Sequence, residues 1–207
     1  MTTEYLKLTL ITNKGNSTTV DYIKFIIECV EAGVTAVQLR EKQLAYEELL
    51  VFAKELHKAL QYYNIPLIIN DSLKLCLEIN ADGLHLGQSD GDIYAARRAL
   101  GQEKLLGLST DNLYEVIAAN NLPIDYIGIG AIFPTANKPD IKNIWGLENL
   151  AKAKAISAHP IIAIGGITPA NGKEVILAGA SGVAAIGAFH NSDNHVKVCK
   201  DFLKVVK

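Results

Sequence analysis

Residues 66–90 read PLIINDSLKLCLEINADGLHLGQSD. The first six, Pro66–Asp71, are an apolar β-branched run that breaks abruptly into Asn-Asp. Ser72–Ile79 follows with apolar residues three and four apart, the period of a helix. Gly83–Gly87 is a second short strand. Strands that are nearly all apolar belong to a parallel sheet covered by helices, and the short helix between them is the crossover that parallel pairing requires.

The same beat extends in both directions. Further strands are expected at Leu6–Thr12, Ala36–Glu41, Leu105–Thr110, Tyr126–Phe133, Pro160–Gly166 and Gly182–Ala188. Helical periodicity fills the intervals at Thr19–Ala32, Tyr46–Tyr62, Asp92–Leu100, Asn112–Ala119, Leu147–Ser157, Pro169–Ala178 and His195–Val206. Gly33, Gly101 and Gly179 stand just past helix ends, where a left-handed residue is wanted. Asp92 and Thr168 stand at N-cap positions, and Pro169 takes the first helical place. Eight strand–helix units predict an α/β fold, a (β/α)8 TIM barrel forming a single domain over residues 1–207. A doubly wound open sheet is the alternative, but no G-x-G-x-x-G follows the first strand.

Composition narrows the function. The chain has 207 residues, of which 49% are hydrophobic and 20% charged, with a formal net charge of −2. That suffices for one sizeable core and is too apolar for disorder. Only three arginines occur, Arg40, Arg97 and Arg98, so no basic field exists to hold a nucleic acid. Cys29, Cys76 and Cys199 have no C-x-x-C spacing and read as reduced, buried thiols. The start, MTTEYLKLTLITN, lacks a basic n-region, and no apolar run reaches the ~18 residues of a membrane span. A cytoplasmic protein with small-molecule partners is the expectation. The sequence carries no signal for oligomeric state.

In a barrel of this kind chemistry belongs to the loops after the strand C-termini. Along Ala36–Glu41 the period of two turns Val37 and Leu39 to one face and Gln38 and Arg40 to the other. Arg40, with Lys42, is a candidate anion clamp; an ion pair of Arg40 with Glu41 or a neighbouring carboxylate is the plainer alternative. Asp71 and Asp90 leave adjacent strands, so their carboxylates can converge and, beside phosphate clamps, hold Mg²⁺. Each could instead cap the helix that follows. His85, between glycines, is read as barrel filling rather than as a base. Ser109 sits at a strand tip, where it could serve a ligand or cap the next helix. No His–Asp spacing suggests a hydrolase triad. The connection from Gly130 towards Trp145 is the longest in the chain and reads as a ligand cover, with a plain solvated loop as the alternative. Glycines at 165, 166 and 187 let an anion approach backbone N–H groups, although close packing would also call for them.

Five segments, VQLREK (37–42), IINDSLKLCLEINADGLHLGQSD (68–90), GLST (107–110), GAIFPTANK (130–138) and AIGGI (163–167), together resemble the thiamine-phosphate synthase family. The resemblance spans nearly the whole chain. It implies a transferase that joins 4-amino-2-methyl-5-(diphosphooxymethyl)pyrimidine to 4-methyl-5-(2-phosphoethyl)thiazole, giving thiamine phosphate and pyrophosphate. It implies catalytic roles for Arg40, Ser109 and Lys138, and Mg²⁺ on Asp71 and Asp90. Gln38, Leu39, Arg40, Glu41, Lys42, Asn70, Ser109 and Lys138 would bind the pyrimidine diphosphate. Thr135, Ala136, Asn137, Gly166, Ile186 and Gly187 would lie on the thiazole phosphate. Two positions depart from the family pattern: Asn137 stands where the family usually has Thr, and Gly187 where it has Ser. Other readings stay open here: a thiazole tautomerase of the same superfamily, a non-catalytic regulatory barrel that binds a thiamine precursor, and a phosphosugar isomerase or lyase. The last should carry a Glu or Lys base deep in a strand, and none is evident.

Overall fold

The computed structural model describes residues 3–136 and 143–206. A 3₁₀ turn, Thr3–Leu6, precedes eight parallel strands that close on themselves in sequence order: β1 (Leu8–Ile11), β2 (Ala36–Leu39), β3 (Leu67–Asn70), β4 (Gly83–Leu86), β5 (Leu105–Thr110), β6 (Tyr126–Ile129), β7 (Ile161–Ile164) and β8 (Gly182–Ala185). The helices between and after them are α1 (Thr19–Glu31), α2 (Tyr46–Tyr62), α3 (Leu73–Glu78), α4 (Ile93–Leu100), α5 (Leu113–Ala119), α6 (Gly146–Ile156), α7 (Pro169–Leu177), α8 (Gly187–His190) and α9 (His195–Leu203). The expected (β/α)8 barrel is the observed one, and the open sheet is excluded because β1 pairs with β8.

Alternation along the strands builds two cores. Outward residues such as Leu8, Leu10, Val37, Leu39, Ile69 and Leu84 pack beneath the helices in the larger one. Inward residues, among them Ile11, Ala36, Ile68, Leu105, Tyr126, Ile162 and Ala184, form a smaller cluster inside the barrel, with Leu6 at its N-terminal end. The three cysteines are free and buried, as expected.

The punctuation behaves as its chemistry dictates. Gly33, Gly101 and Gly179 take φ of +119°, +76° and +110°, a region costly for residues with a Cβ. The Asp92 carboxylate accepts the N–H groups of Tyr94 (2.7 Å) and Ala95 (3.0 Å). Arg97 is absorbed structurally. Its buried guanidinium donates to the carbonyls of Pro123, Gly101 and Lys104 and pairs with Asp125 at 2.6 Å.

All strands but β5 are shorter than their expected runs, and for β6, β7 and β8 the reason is in the loops that follow. β6 stops at Ile129, and residues 132–133 instead donate to the carbonyls of Ile164 and Gly165. β7 stops at Ile164 because Gly165 and Gly166 turn to φ of +95° and +66°. β8 stops at Ala185, and the expected strand residues Gly187 and Ala188 belong to α8. Among the described residues no helix is long and apolar enough to cross a membrane.

Candidate active site

A cavity of about 850 Å³ opens at the C-terminal end of the strands. Gln38, Arg40, Lys42, Asn70, Asp71, Asp90, Ser109, Thr135, Ala136, Gly166, Ile186 and Gly187 all line it. Two expected residues do not. Leu39 is 2% exposed in the outer core, which its odd place in the period-two pattern requires. The Glu41 carboxylate accepts the Lys14 N–H at 2.8 Å and takes no part in the lining. Asn137 and Lys138 lie outside the described residues.

One side of the mouth is built by the tips of β2, β3 and β4. Gln38 donates from Nε2 to Asn70 Oδ1 at 3.0 Å, so two amides hold each other across neighbouring strands. The Arg40 backbone is fixed by Thr12, whose hydroxyl accepts its N–H at 2.9 Å. Arg40 lines the cavity, where its guanidinium acts electrostatically on the Asp71 carboxylate, while the Glu41 carboxylate is turned to the Lys14 N–H. Asp71 sits at φ +65°, a left-handed conformation that Asp tolerates better than most residues. Its N–H donates to the His85 carbonyl at 2.9 Å, which ties the β3 tip to β4.

The capping alternatives fail in a simple way: other residues do the capping. Ser72 accepts the Leu75 N–H at the start of α3, and Asp92 caps α4. Asp71 and Asp90 are thereby free to meet. Lys42 Nζ lies 3.8 Å from Asp71 Oδ2, and Asp90 Oδ2 accepts the Gly87 N–H at 2.7 Å. Burial, then the neighbouring Asp90, pushes the Asp71 carboxyl up to about 6, against the opposing pull of Lys42 and Arg40. A cation between the two carboxylates would relieve this crowding. The donors are two carboxylates without thiol or imidazole, which suits a hard divalent ion. No cluster of three or more His, Cys, Asp or Glu occurs among the described residues. Two protein ligands, with the rest from water and phosphate, is how Mg²⁺ is commonly held.

The far wall contains a chain that spacing did not reveal. His85 Nε2 lies 2.9 Å from Ser109 Oγ, and His85 Nδ1 lies 3.0 Å from the Tyr126 hydroxyl. Both rings lie over glycine: a Cβ on Gly107 would come within 2.1 Å of the Tyr126 ring, and one on Gly128 within 2.9 Å of His85. His85 therefore does fill the barrel, as expected, and it also fixes the Ser109 hydroxyl. Burial holds the Tyr126 phenol well above its ordinary range, so it stays protonated. The group opposite Ser109 across the imidazole is a phenol and not a carboxylate, which is not the pattern of a nucleophile triad. Asn112 caps α5, which removes the capping role considered for Ser109. Gln88 was missed altogether; its amide donates to the Ser109 carbonyl at 2.6 Å.

The third side is made of backbone at the tips of β7 and β8. Gly166 has no room for a side chain, since a Cβ would meet the Pro134 carbonyl at 2.6 Å and Phe133 at 2.7 Å. Close packing against the loop after β6 is thus one reason for this glycine. Its place on the cavity wall leaves open the second, access for an anion to the backbone.

Comparison with known proteins shows the family and the fold. The family model for thiamine monophosphate synthase matches residues 8–189. The thiamine-phosphate synthases of Chlamydia abortus and Chlamydia caviae are 48% and 45% identical to the chain over 206 residues, covering 100% of it and 97% of each relative. The solved structure of thiamine phosphate pyrophosphorylase from Pyrococcus furiosus superposes with a TM-score of 0.88 at 30% identity, over 98% of this chain and 96% of that one. With a closed parallel barrel whose mouth gathers carboxylates, cations and backbone donors, the chain belongs to the thiamine monophosphate synthase family, transferases of thiamine biosynthesis.

Proposed function

We propose that the chain joins 4-amino-2-methyl-5-(diphosphooxymethyl)pyrimidine to 4-methyl-5-(2-phosphoethyl)thiazole, releasing pyrophosphate and forming thiamine phosphate. The observation that carries the reading is the convergence of Arg40, Lys42, Asp71 and Asp90 on one edge of the cavity, facing the backbone tips of β7 and β8. That is one seat for a diphosphate and another for a monophosphate.

The bond that breaks lies between the exocyclic methylene carbon and the ester oxygen that joins it to the α-phosphorus. Pyrophosphate leaves with the bonding electrons, and the pyrimidine-methyl cation is stabilised by the ring amino group. The thiazole nitrogen then supplies the pair for the new C–N bond. The chemistry needs charge neutralisation and positioning more than a strong base. Arg40, Lys42 and Lys138 are assigned to the growing negative charge on the leaving group. Gln38 and Asn70 orient the pyrimidine, and Ser109, held by His85, offers a fixed hydroxyl on the same side. Family members work with a metal ion, and here we assign Mg²⁺ to Asp71 and Asp90, with Lys42 beside them. When bound, the ion would supply further positive charge to the diphosphate oxygens. Thr135, Ala136, Asn137, Gly166, Ile186 and Gly187 are assigned to the thiazole phosphate.

The carboxylate pair favours synthesis over thiazole tautomerisation, which has no diphosphate to draw off. The test is to incubate the chain with both substrates and Mg²⁺ and quantify products. Thiamine phosphate and pyrophosphate are expected to form one for one. Consumption of the thiazole phosphate without pyrophosphate release would reject the assignment.

Gly187 leaves only a backbone N–H where a hydroxyl would add a donor. Gly187→Ser is therefore expected to tighten thiazole phosphate binding by about tenfold, the worth of one charge-assisted hydrogen bond, with the turnover limit little changed. Calorimetric titration with the thiazole phosphate reads this directly; equal or weaker binding would count against the assignment of this tip.

A further inference from the structure

Behind the tip of β8, outside the cavity, lies a hydrogen-bonded row that the proposed chemistry does not use. His190 Nδ1 is 2.8 Å from the Ile186 carbonyl, and His190 Nε2 is 2.6 Å from the Tyr22 hydroxyl. The Tyr22 hydroxyl accepts the Asn13 N–H at 2.6 Å. Phe25 packs beside the imidazole with ring centroids 5.2 Å apart, and Tyr22 stacks on Phe25 at 5.6 Å. The row joins the loop after β1, the helix α1 and the short α8 to one carbonyl.

Donor and acceptor chemistry sets every proton in it. The Ile186 carbonyl can only accept, so His190 Nδ1 carries hydrogen. In the neutral ring Nε2 then accepts, and the Tyr22 O–H donates to it while its oxygen takes the Asn13 N–H. Burial lowers the His190 pKa, which favours this neutral tautomer.

The same Ile186 carbonyl also accepts the N–H groups of Phe189 (3.1 Å) and His190 (3.2 Å). Three donors thus hold it towards α8. A peptide unit is planar and trans, so its N–H points opposite to its C=O. The N–H in that plane belongs to Gly187, a cavity-lining residue with no side chain. Fixing the Ile186 carbonyl fixes the direction in which Gly187 donates.

We infer that Tyr22 and His190 are positioning residues for the phosphate seat at the β8 tip: they lock the Ile186–Gly187 peptide plane so that its N–H faces the substrate phosphate. This rests on the reading of that tip as the thiazole phosphate site. Neither side chain lines the cavity, so their effect is expected on binding of the phosphate group and not on bond cleavage.

The test uses steady-state kinetics of the full chain with the thiazole phosphate and, separately, with its dephosphorylated alcohol. His190→Leu is expected to raise KM for the thiazole phosphate by about tenfold, as loss of one orienting outer contact commonly does. Turnover at saturation should stay within about twofold, and KM for the pyrimidine diphosphate and for the alcohol should not move. His190→Asn, whose amide can still donate to Ile186, should recover KM to within about threefold of the parent, and Tyr22→Phe should cost about threefold. An equal KM rise for the alcohol, a fall confined to turnover, or an Asn variant no better than Leu would overturn the inference. A parent enzyme that binds alcohol and phosphate equally well would instead reject the phosphate seat itself, and the two failures are told apart by that control.

Discussion

Asp71→Asn is expected to lower turnover at saturating substrates by about 10³-fold while leaving the fold intact. The size follows from removing one of two protein ligands to a cation that neutralises the leaving group, a contribution of several kcal/mol. The change is nearly isosteric, and it acts in the opposite sense on stability. The Asp71 carboxyl lies at about 6 rather than the ordinary 3.8, through burial first and Asp90 second. The folded, metal-free chain therefore binds this proton more tightly than the unfolded chain does. Stability from this group falls as pH rises from about 4 to about 6, and the loss is complete above that. Asn carries no charge and removes the slope. The variant's Tm at pH 7 without metal should be no lower than that of the parent and up to about 4 °C higher. Chemical denaturation at pH 5 and pH 7 reads the slope. A variant that kept parental turnover, or that lost stability, would remove Asp71 from its assigned place.

Arg40→Met is expected to have the second largest effect, lowering turnover by about 10²-fold and raising KM for the pyrimidine diphosphate, with KM for the thiazole phosphate unchanged. Arg40 lines the cavity beside Asp71 while Thr12 holds its backbone, so the loss is of charge and geometry rather than of packing. Arg40→Lys should recover only part, because an ammonium restores the charge without the planar fork that meets two phosphate oxygens. Full recovery by Lys would show that a point charge suffices there. An effect confined to the thiazole phosphate would place the diphosphate on the wrong side of the mouth.

The parts of this site that were legible in the sequence are those that depend on neighbouring strands. Asp71 and Asp90 end consecutive strands, so their meeting follows from parallel order alone, and the period of two along Ala36–Glu41 turned Gln38 and Arg40 inward. The same period turns Leu39 into the outer core, and Glu41 turns to the Lys14 N–H, so the family resemblance overreaches at both positions. Contacts that need the barrel to close were not legible. His85 and Tyr126 are 41 residues apart and meet only because Gly107, between them in register, leaves room for both rings. Tyr22 and His190 are separated by 168 residues and meet only where β8 returns to β1. Four-residue α8 has no period to detect, and its apolar start reads as more strand. The expected end of β6 runs on for a related reason: Ala131 and Ile132 are buried by loop packing, so apolar character continues after the ladder stops.

The most direct test is a crystal structure of the chain with pyrophosphate, Mg²⁺ and the thiazole phosphate. The pyrophosphate should lie within hydrogen-bonding distance of Arg40 and Lys42 and share the metal with Asp71 and Asp90, while the thiazole phosphate rests against Gly166 and Gly187. Pyrophosphate seated on the β7 and β8 tips, or a metal bound away from both aspartates, would contradict the account.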